Sequence, residues 1–302
     1  GTEDEGMVEI LLNKNKIKVL KNYSFINNVK DITNDPDGNL WIATMGEGIY
    51  FYRRNSQTNS FSQEFQFTTD NGLPNMQIRK LFFDRENNLW IGSYGSGLFQ
   101  YYESAFSQLL QKINNNELSF TSLYNYNEFL LGATNDGKIY RININAPQQY
   151  NLFEIKELQG LKINSLFVDN NLILWMGTEN KGLFLLDLVS GKIIKHIFFQ
   201  DELQNNISSI DGFGTFKCVG TKNGLLIFNT EEKGYEYQKI TTAEGLPHNY
   251  INQVLCDVQE NVWIVTPTNF ITKYNFISQK ITLNKININD ILKINAICVD
   301  NK

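Results

Sequence analysis

The chain has 302 residues, 42% hydrophobic and 13% aromatic, with 20% charged and a formal net charge of −5. That balance supports a sizeable core and excludes a disordered chain. The acidic charge, with Lys and Arg scattered and no dense basic stripe, argues against a nucleic-acid binder.

In chain order, the first phrase is "GTEDEGMVEIL", which recurs as "GTENKGLFLLD" at residues 177–187, where it follows a Trp. A complete unit begins at Val29. It comprises a short apolar strand, the tight turn "DPDG", a strand through Trp41, a Gly-containing turn, an aromatic strand and a looser strand "FSQEFQFTT". The same order returns from Ile78 through "DRENNLW" and Trp90. Further copies start at Phe120, Ile163, Ile207 and Ile251, with Leu130, Trp175, Cys218 and Trp263 in the Trp column. The chain ends "INAICVDNK", a copy of "INSLFVDNN" at residues 163–171 that stops where a Trp would follow. Small residues trail the Trp column at Ala43, Gly92, Gly132, Gly177 and Gly220, with Val265 the exception. Two apolar columns mark the first strand of each unit: Val29, Ile78, Phe120, Ile163, Ile207, Ile251 and Ile294, paired with Ile32, Leu81, Leu123, Leu166, Ile210, Val254 and Ile297.

Four short strands in about 40–45 residues are the signature of one propeller blade. No 3.6-residue apolar stripe persists long enough for an ordinary helix. The turns "DPDG" and "NDG" suit tight hairpins, since Gly, Asn and Asp tolerate positive φ. Each Trp offers a broad face to a neighbouring blade, and the small residue after it admits a close neighbour. Six complete units and two complementary halves predict an all-β, seven-bladed β-propeller with four-stranded antiparallel blades. The ring is expected to close by pairing the N-terminal outer strands with the C-terminal inner strand, which removes exposed sheet edges. Residues 1–302 are expected to form a single propeller domain.

The phrase D-x-x-x-N-L-W-I-(G/A) at Trp41 and Trp90, with weaker forms at Trp175 and Trp263, resembles the periplasmic two-component regulator propellers. So does the linker "TTDNGLPNMQIRKLFFD" at residues 68–84, repeated as "TTAEGLPHNYINQVLCD" at 241–257. These are sensor domains of hybrid two-component system histidine kinases of Bacteroidetes. The resemblance implies an extracytoplasmic, periplasmic sensor that detects glycan breakdown products. It also implies a place beside a second propeller or a β-sandwich domain of a longer protein, and a possible homodimer. The chain is therefore expected to be one propeller of a larger sensor.

The search for chemistry returns no catalytic set. "GSYGSG" at 92–97 follows one strand and opens another, so it lacks the helix N-terminus that would hold phosphate. Glu231-Glu232 and Asp201-Glu202 sit in polar, turn-like loops, unlike facing catalytic carboxylates. Three cysteines, Cys218, Cys256 and Cys298, are odd in number and widely spaced, giving no disulfide framework and no CxxC metal site. Each sits in an apolar strand and is expected to be a small buried hydrophobe. Two isolated histidines, His196 and His248, suggest no metal. No cofactor is expected, and no apolar run approaches the ~20 residues that cross a bilayer.

What remains is binding at the starts of the first strands, expected to ring one mouth of a central channel. The candidates are Asn28, Gln77, Arg79, Lys80, Asn164, Asn206, His248, Tyr250 and Asn252, with the series continuing to Asn289 and Asn295. Amides match sugar hydroxyls, an aromatic stacks on a pyranose, and Arg79 and Lys80 suit an acidic sugar. The competing reading is that these polar residues satisfy backbone groups. Two further classes stand beside the oligosaccharide sensor. One is a structural or dimerising propeller without a small ligand. The other is a polysaccharide-acting enzyme built around His248 and Tyr250.

Overall fold

The computed structural model describes residues 6–13, 16–23, 26–58, 60–84, 87–102, 105–110, 112–113, 116–144, 150–231 and 234–285, with Ile294 and Ile297. The chain divides into two compact units, one centred on Ser24–Gly160 and the other on Leu161–Asn295, which also takes Val8–Tyr23.

The first unit contains three four-stranded antiparallel blades. Blade 1 is Val29–Asn34, Leu40–Thr44, Ile49–Arg54 and Phe61–Phe67. Blade 2 is Ile78–Phe83, Leu89–Ser93, Leu98–Tyr102 and Ala105–Leu110. Blade 3 is Phe120–Tyr126, Phe129–Thr134, Ile139–Asn143 and Tyr150–Phe153. The second unit contains three more. Blade 4 is Ile163–Val168, Ile173–Thr178, Leu183–Asp187 and Lys192–Ile197. Blade 5 is Ile207–Phe213, Phe216–Thr221, Gly224–Asn229 and Tyr237–Ile240. Blade 6 is Gln253–Cys256, Asn261–Val265, Phe270–Asn275 and Lys280–Lys285.

The count corrects the expectation of seven blades: the described residues form six. The N-terminal strands Met7–Asn13 and Lys16–Tyr23 make a separate two-stranded sheet. Among the described residues the N-terminal half-motif joins no four-stranded ladder, which a blade requires. The expected closing strand lies outside the described residues, apart from Ile294 and Ile297, and so do Asn289, Asn295 and Cys298.

The Trp phrase has a local mechanism. In blade 2 the Asp84 carboxylate accepts the Asn88 backbone N–H at 2.8 Å and the Trp90 indole N–H at 2.6 Å. One side chain thus folds the turn and orients the indole. The same pair recurs as Asp35–Trp41 (3.2 Å), Asp169–Trp175 (3.0 Å) and Asp257–Trp263 (2.7 Å). The expected blade-to-blade role of the Trp face is met at Trp41, which lies 5.7 Å from Phe83 and 5.8 Å from Tyr101 of blade 2.

The first strands are bulged. In blades 1 to 5 the ladder register shifts between the first and third residues, for example Ile78/Lys80 and Ile163/Ser165. In a flat strand, residues three apart face opposite sides; the extra residue lets both apolar columns point into the core. Ile78 and Leu81 are both buried, as are Ile163 and Leu166. The first apolar residue presses on the preceding blade. A Cβ at Gly177 would fall 2.4 Å from the Ile207 side chain, so that position has no room for one.

Candidate ligand-binding site

The bulge decides what the candidate residues do, because it releases the second residue of each first strand from ladder pairing. In the second unit those residues reach to the next blade. Asn164 Nδ2 donates to the Ile207 carbonyl at 2.9 Å and Ser208 Oγ to the Ile251 carbonyl at 2.6 Å, while Asn252, just ahead of the first strand of blade 6, donates from Nδ2 to the Ile294 carbonyl at 2.6 Å. The following column works in the opposite sense. Ser165 Oγ accepts the Ile210 backbone N–H at 2.8 Å, and Ser209 Oγ accepts that of Val254 at 3.2 Å. Each such bond contributes about 1 kcal/mol. Asn164 is therefore a tie between blades 4 and 5, and Asn252 likewise spends its amide on a backbone carbonyl.

Asn206 closes the short turn Glu202–Asn205, and its carbonyl accepts the Lys222 N–H at 3.1 Å. His248 also serves the backbone: its Nδ1 accepts the Tyr250 N–H at 2.8 Å. Asn75 does the same in the matching "GLPN" linker, where its Oδ1 accepts the Gln77 N–H at 2.6 Å. His248 is thus a turn-capping residue in an asparagine's place, and Tyr250 beside it is exposed. His196, the other histidine, stacks on Phe184 at 3.9 Å and bonds the Lys181 carbonyl.

In the first unit the arrangement differs. Lys80 Nζ lies 3.3 Å from Asp31 Oδ1, and Asp31 Oδ2 accepts the Leu81 N–H at 2.9 Å, so Lys80 belongs to a blade tie. Asn28, Gln77 and Arg79 instead converge. Asn28 adopts a left-handed backbone (φ 52), and its carbonyl accepts the Met45 N–H at 3.0 Å. Met45 bridges to Gln77, whose carbonyl accepts the Tyr94 N–H at 2.9 Å. The Arg79 guanidinium lies 4.9 Å from the Tyr94 ring centroid, and Tyr94 is 47% exposed. Two polar atoms here are buried with no hydrogen-bond partner among the described residues: Asn28 Oδ1 and Arg79 Nε. An orphaned buried acceptor and donor are costly unless something completes them. The patch therefore joins an aromatic face, a cation, an exposed amide (Gln77) and two unmet hydrogen-bonding atoms.

Tyr94 was not among the sequence candidates. It sits in "GSYGSG", whose glycines signal only turn geometry, and its one legible trace is an aromatic at the tip of a turn. A second polar feature also went unsignalled. On blade 3 an open cleft of about 410 Å³ is lined by Asp136, Lys138, Glu154, Lys156 and Gln159. Asp136 there pairs with Lys138. The Tyr140 phenol is fully buried and lacks a hydrogen-bond partner among the described residues; desolvation, with Asp136 as the next contribution, holds its pKa up. No group of three or more His, Cys, Asp or Glu among the described residues is placed to hold a metal.

Comparison with known proteins supports the resemblance read from the repeats. Residues 24–46 and 72–95 match the two-component regulator propeller family. They span the first Trp phrase and the second together with its "GLP" linker. The fold is similar to the extracellular domain of a putative hybrid two component system from B. thetaiotaomicron, with a TM-score of 0.71 and 21% identity over 86% of this chain and 34% of that one. A second such extracellular domain from B. thetaiotaomicron gives 0.54 and 19% over 91% and 44%. Saccharomyces cerevisiae Sqt1 gives 0.61 and 15% over 89% and 77%. The chain thus spans about a third and under half of the two bacterial structures. No curated protein matches the sequence. The fold is an all-β propeller, and among the described residues no helix is long and apolar enough to cross a membrane.

Proposed function

We propose that the chain is a non-catalytic, periplasmic sensor propeller of a hybrid two-component signalling protein, and that it detects a glycan-derived oligosaccharide at the Asn28, Gln77, Arg79 and Tyr94 patch. The observation that carries this reading is the pair of unmet buried atoms, Asn28 Oδ1 and Arg79 Nε, beside an exposed aromatic ring. Sugar hydroxyls both donate and accept, matching the types of the two unmet atoms, and Tyr94 supplies a stacking face. Arg79 favours a sugar bearing a carboxylate. Binding signals only where it favours one arrangement over another. The relay therefore runs through contacts with a neighbouring propeller or β-sandwich domain, or with a second copy of the chain.

The non-catalytic part of the reading is supported by His248, whose Nδ1 is engaged by the Tyr250 backbone. A structural propeller without a ligand is favoured by the backbone bonds of Asn164, Ser208 and Asn252. Calorimetric titration with neutral and uronic-acid oligosaccharides separates these readings. Heat with one class, lost in Arg79→Ala, supports the sensor. Absence of heat and of thermal shift across the panel supports the structural reading, and glycan turnover lost in His248→Ala supports the enzyme.

A further inference from the structure

Blades 1 and 2 meet through Trp41 and Phe83, with ring centroids 5.7 Å apart. The same two columns in blades 5 and 6 hold Cys218 and Cys256. Cys218 stands opposite Asp211 in the blade 5 ladder, and Asp211 Oδ2 accepts the Cys256 backbone N–H at 2.7 Å. Asp211 thus lies beside both cysteines across the blade junction, and Cys256 packs against the buried cluster that contains Cys218. Cys218 is fully buried and Cys256 half-buried, and both belong to a cluster with Val254, Val262 and Tyr274. Phe216 and Phe276, stacked at 4.8 Å, pack in the same cluster, where this junction has no Trp–Phe pair of its own.

We propose that Cys218 and Cys256 form a disulfide that ties blade 5 to blade 6 in place of the aromatic contact. The periplasmic setting supplies the oxidising conditions, although the chemistry can be tested without it. The reaction is thiol–disulfide exchange with a small disulfide oxidant such as oxidised glutathione. One of the two sulfurs attacks the oxidant and expels one thiolate, and the other then attacks the mixed disulfide at the first cysteine's sulfur and expels the second. Two S–H bonds and the oxidant's S–S bond break; one protein S–S bond and two oxidant S–H bonds form. The protein loses two electrons, and both protons finish on the released thiols. In the folded unit, contact with Cys218 and burial hold the Cys256 thiol up, with the Asp211 and Asp257 carboxylates adding to this. A thiol so suppressed attacks slowly, so exchange takes place before the two blades close.

The experiment uses the full chain, unfolded, refolded in a reduced/oxidised glutathione mixture, blocked with N-ethylmaleimide and digested without reductant. The expected product is a Cys218–Cys256 linked peptide with Cys298 alkylated, and a Tm on the order of 5 °C above that of protein refolded with reductant. Alkylation of both Cys218 and Cys256, or a link from either to Cys298, overturns the proposal. Because Cys218→Ser alters a fully buried site, Cys256→Ala at the half-buried position serves as the second variant. It is expected to fold and to lose the glutathione-dependent gain in Tm; retention of that gain also overturns the proposal. Neither readout involves a sugar, so a failed ligand panel leaves this result interpretable.

Discussion

Arg79 and Asn164 occupy the same place in the repeat, the bulged second residue of a first strand, and they do different things. Asn164 gives its amide to the Ile207 carbonyl of the next blade. Arg79 lies over an exposed tyrosine with a buried Nε unmatched. A bulge frees a side chain without specifying its use. A short amide reaches the neighbouring carbonyl and becomes structure, whereas the guanidinium lies over the Tyr94 ring instead. Within one column, then, side-chain length and partner availability separate architecture from candidate function.

Four substitutions can break or sharpen that contrast. The largest effect is expected where the ties depend on close approach: Gly177→Val drives a side chain into Ile207, whose carbonyl Asn164 holds. Overpacking of this kind costs about 3 kcal/mol, measurable by urea unfolding.

Next is Asp211, whose carboxyl is pushed up to about 6 by burial, against the lowering effect of the Cys256 and Gly212 N–H groups. Its folded pKa lies above its unfolded value of about 4. Its contribution is therefore full below about pH 4 and is lost as pH rises through about 6. Asp211→Asn keeps an acceptor for Cys256 and removes the charge. It is expected to stabilise the protein at pH 8 by on the order of 2 kcal/mol and to flatten stability between pH 4 and 6, as read from unfolding midpoints across pH.

Asn164→Ala is third. It leaves the Ile207 carbonyl without its donor and costs about 1 kcal/mol in the same unfolding assay. Arg79→Ala is the smallest, with stability within about 0.5 kcal/mol of the parent, because no hydrogen bond from its Nε is lost.

Much of this was legible before any coordinates. The turn–Trp phrase marked four of the six blades and the apolar columns the other two, and its Asp–x5–Trp spacing encodes the clamp seen at Asp84 and Trp90. The three-residue step from Ile78 to Leu81 is the written trace of the bulge, because residues three apart on a regular strand would face opposite sides of the sheet. Other features were not legible, for physical reasons. The half-motifs at the two ends carried the right residues, but whether they join one ladder depends on long-range pairing that sequence similarity does not encode. Asn164 and Asn252 looked like ligand amides because sequence shows a donor and not the carbonyl it meets. His248 looked like a ligand group because sequence does not show that its Nδ1 takes an asparagine Oδ1's place in capturing the second following N–H. Tyr94 escaped because its neighbours are glycines whose turn role is sufficient explanation by itself.

The central claim is that one repeat column holds both a structural tie, at Asn164, and a side chain on which the fold does not depend, at Arg79. Thermal unfolding of Asn164→Ala and Arg79→Ala against the parent, in one buffer and without ligand, tests it most directly. The account predicts that Asn164→Ala lowers Tm by roughly 2–4 °C while Arg79→Ala leaves it unchanged. A loss in Arg79→Ala equal to or greater than that in Asn164→Ala would contradict it.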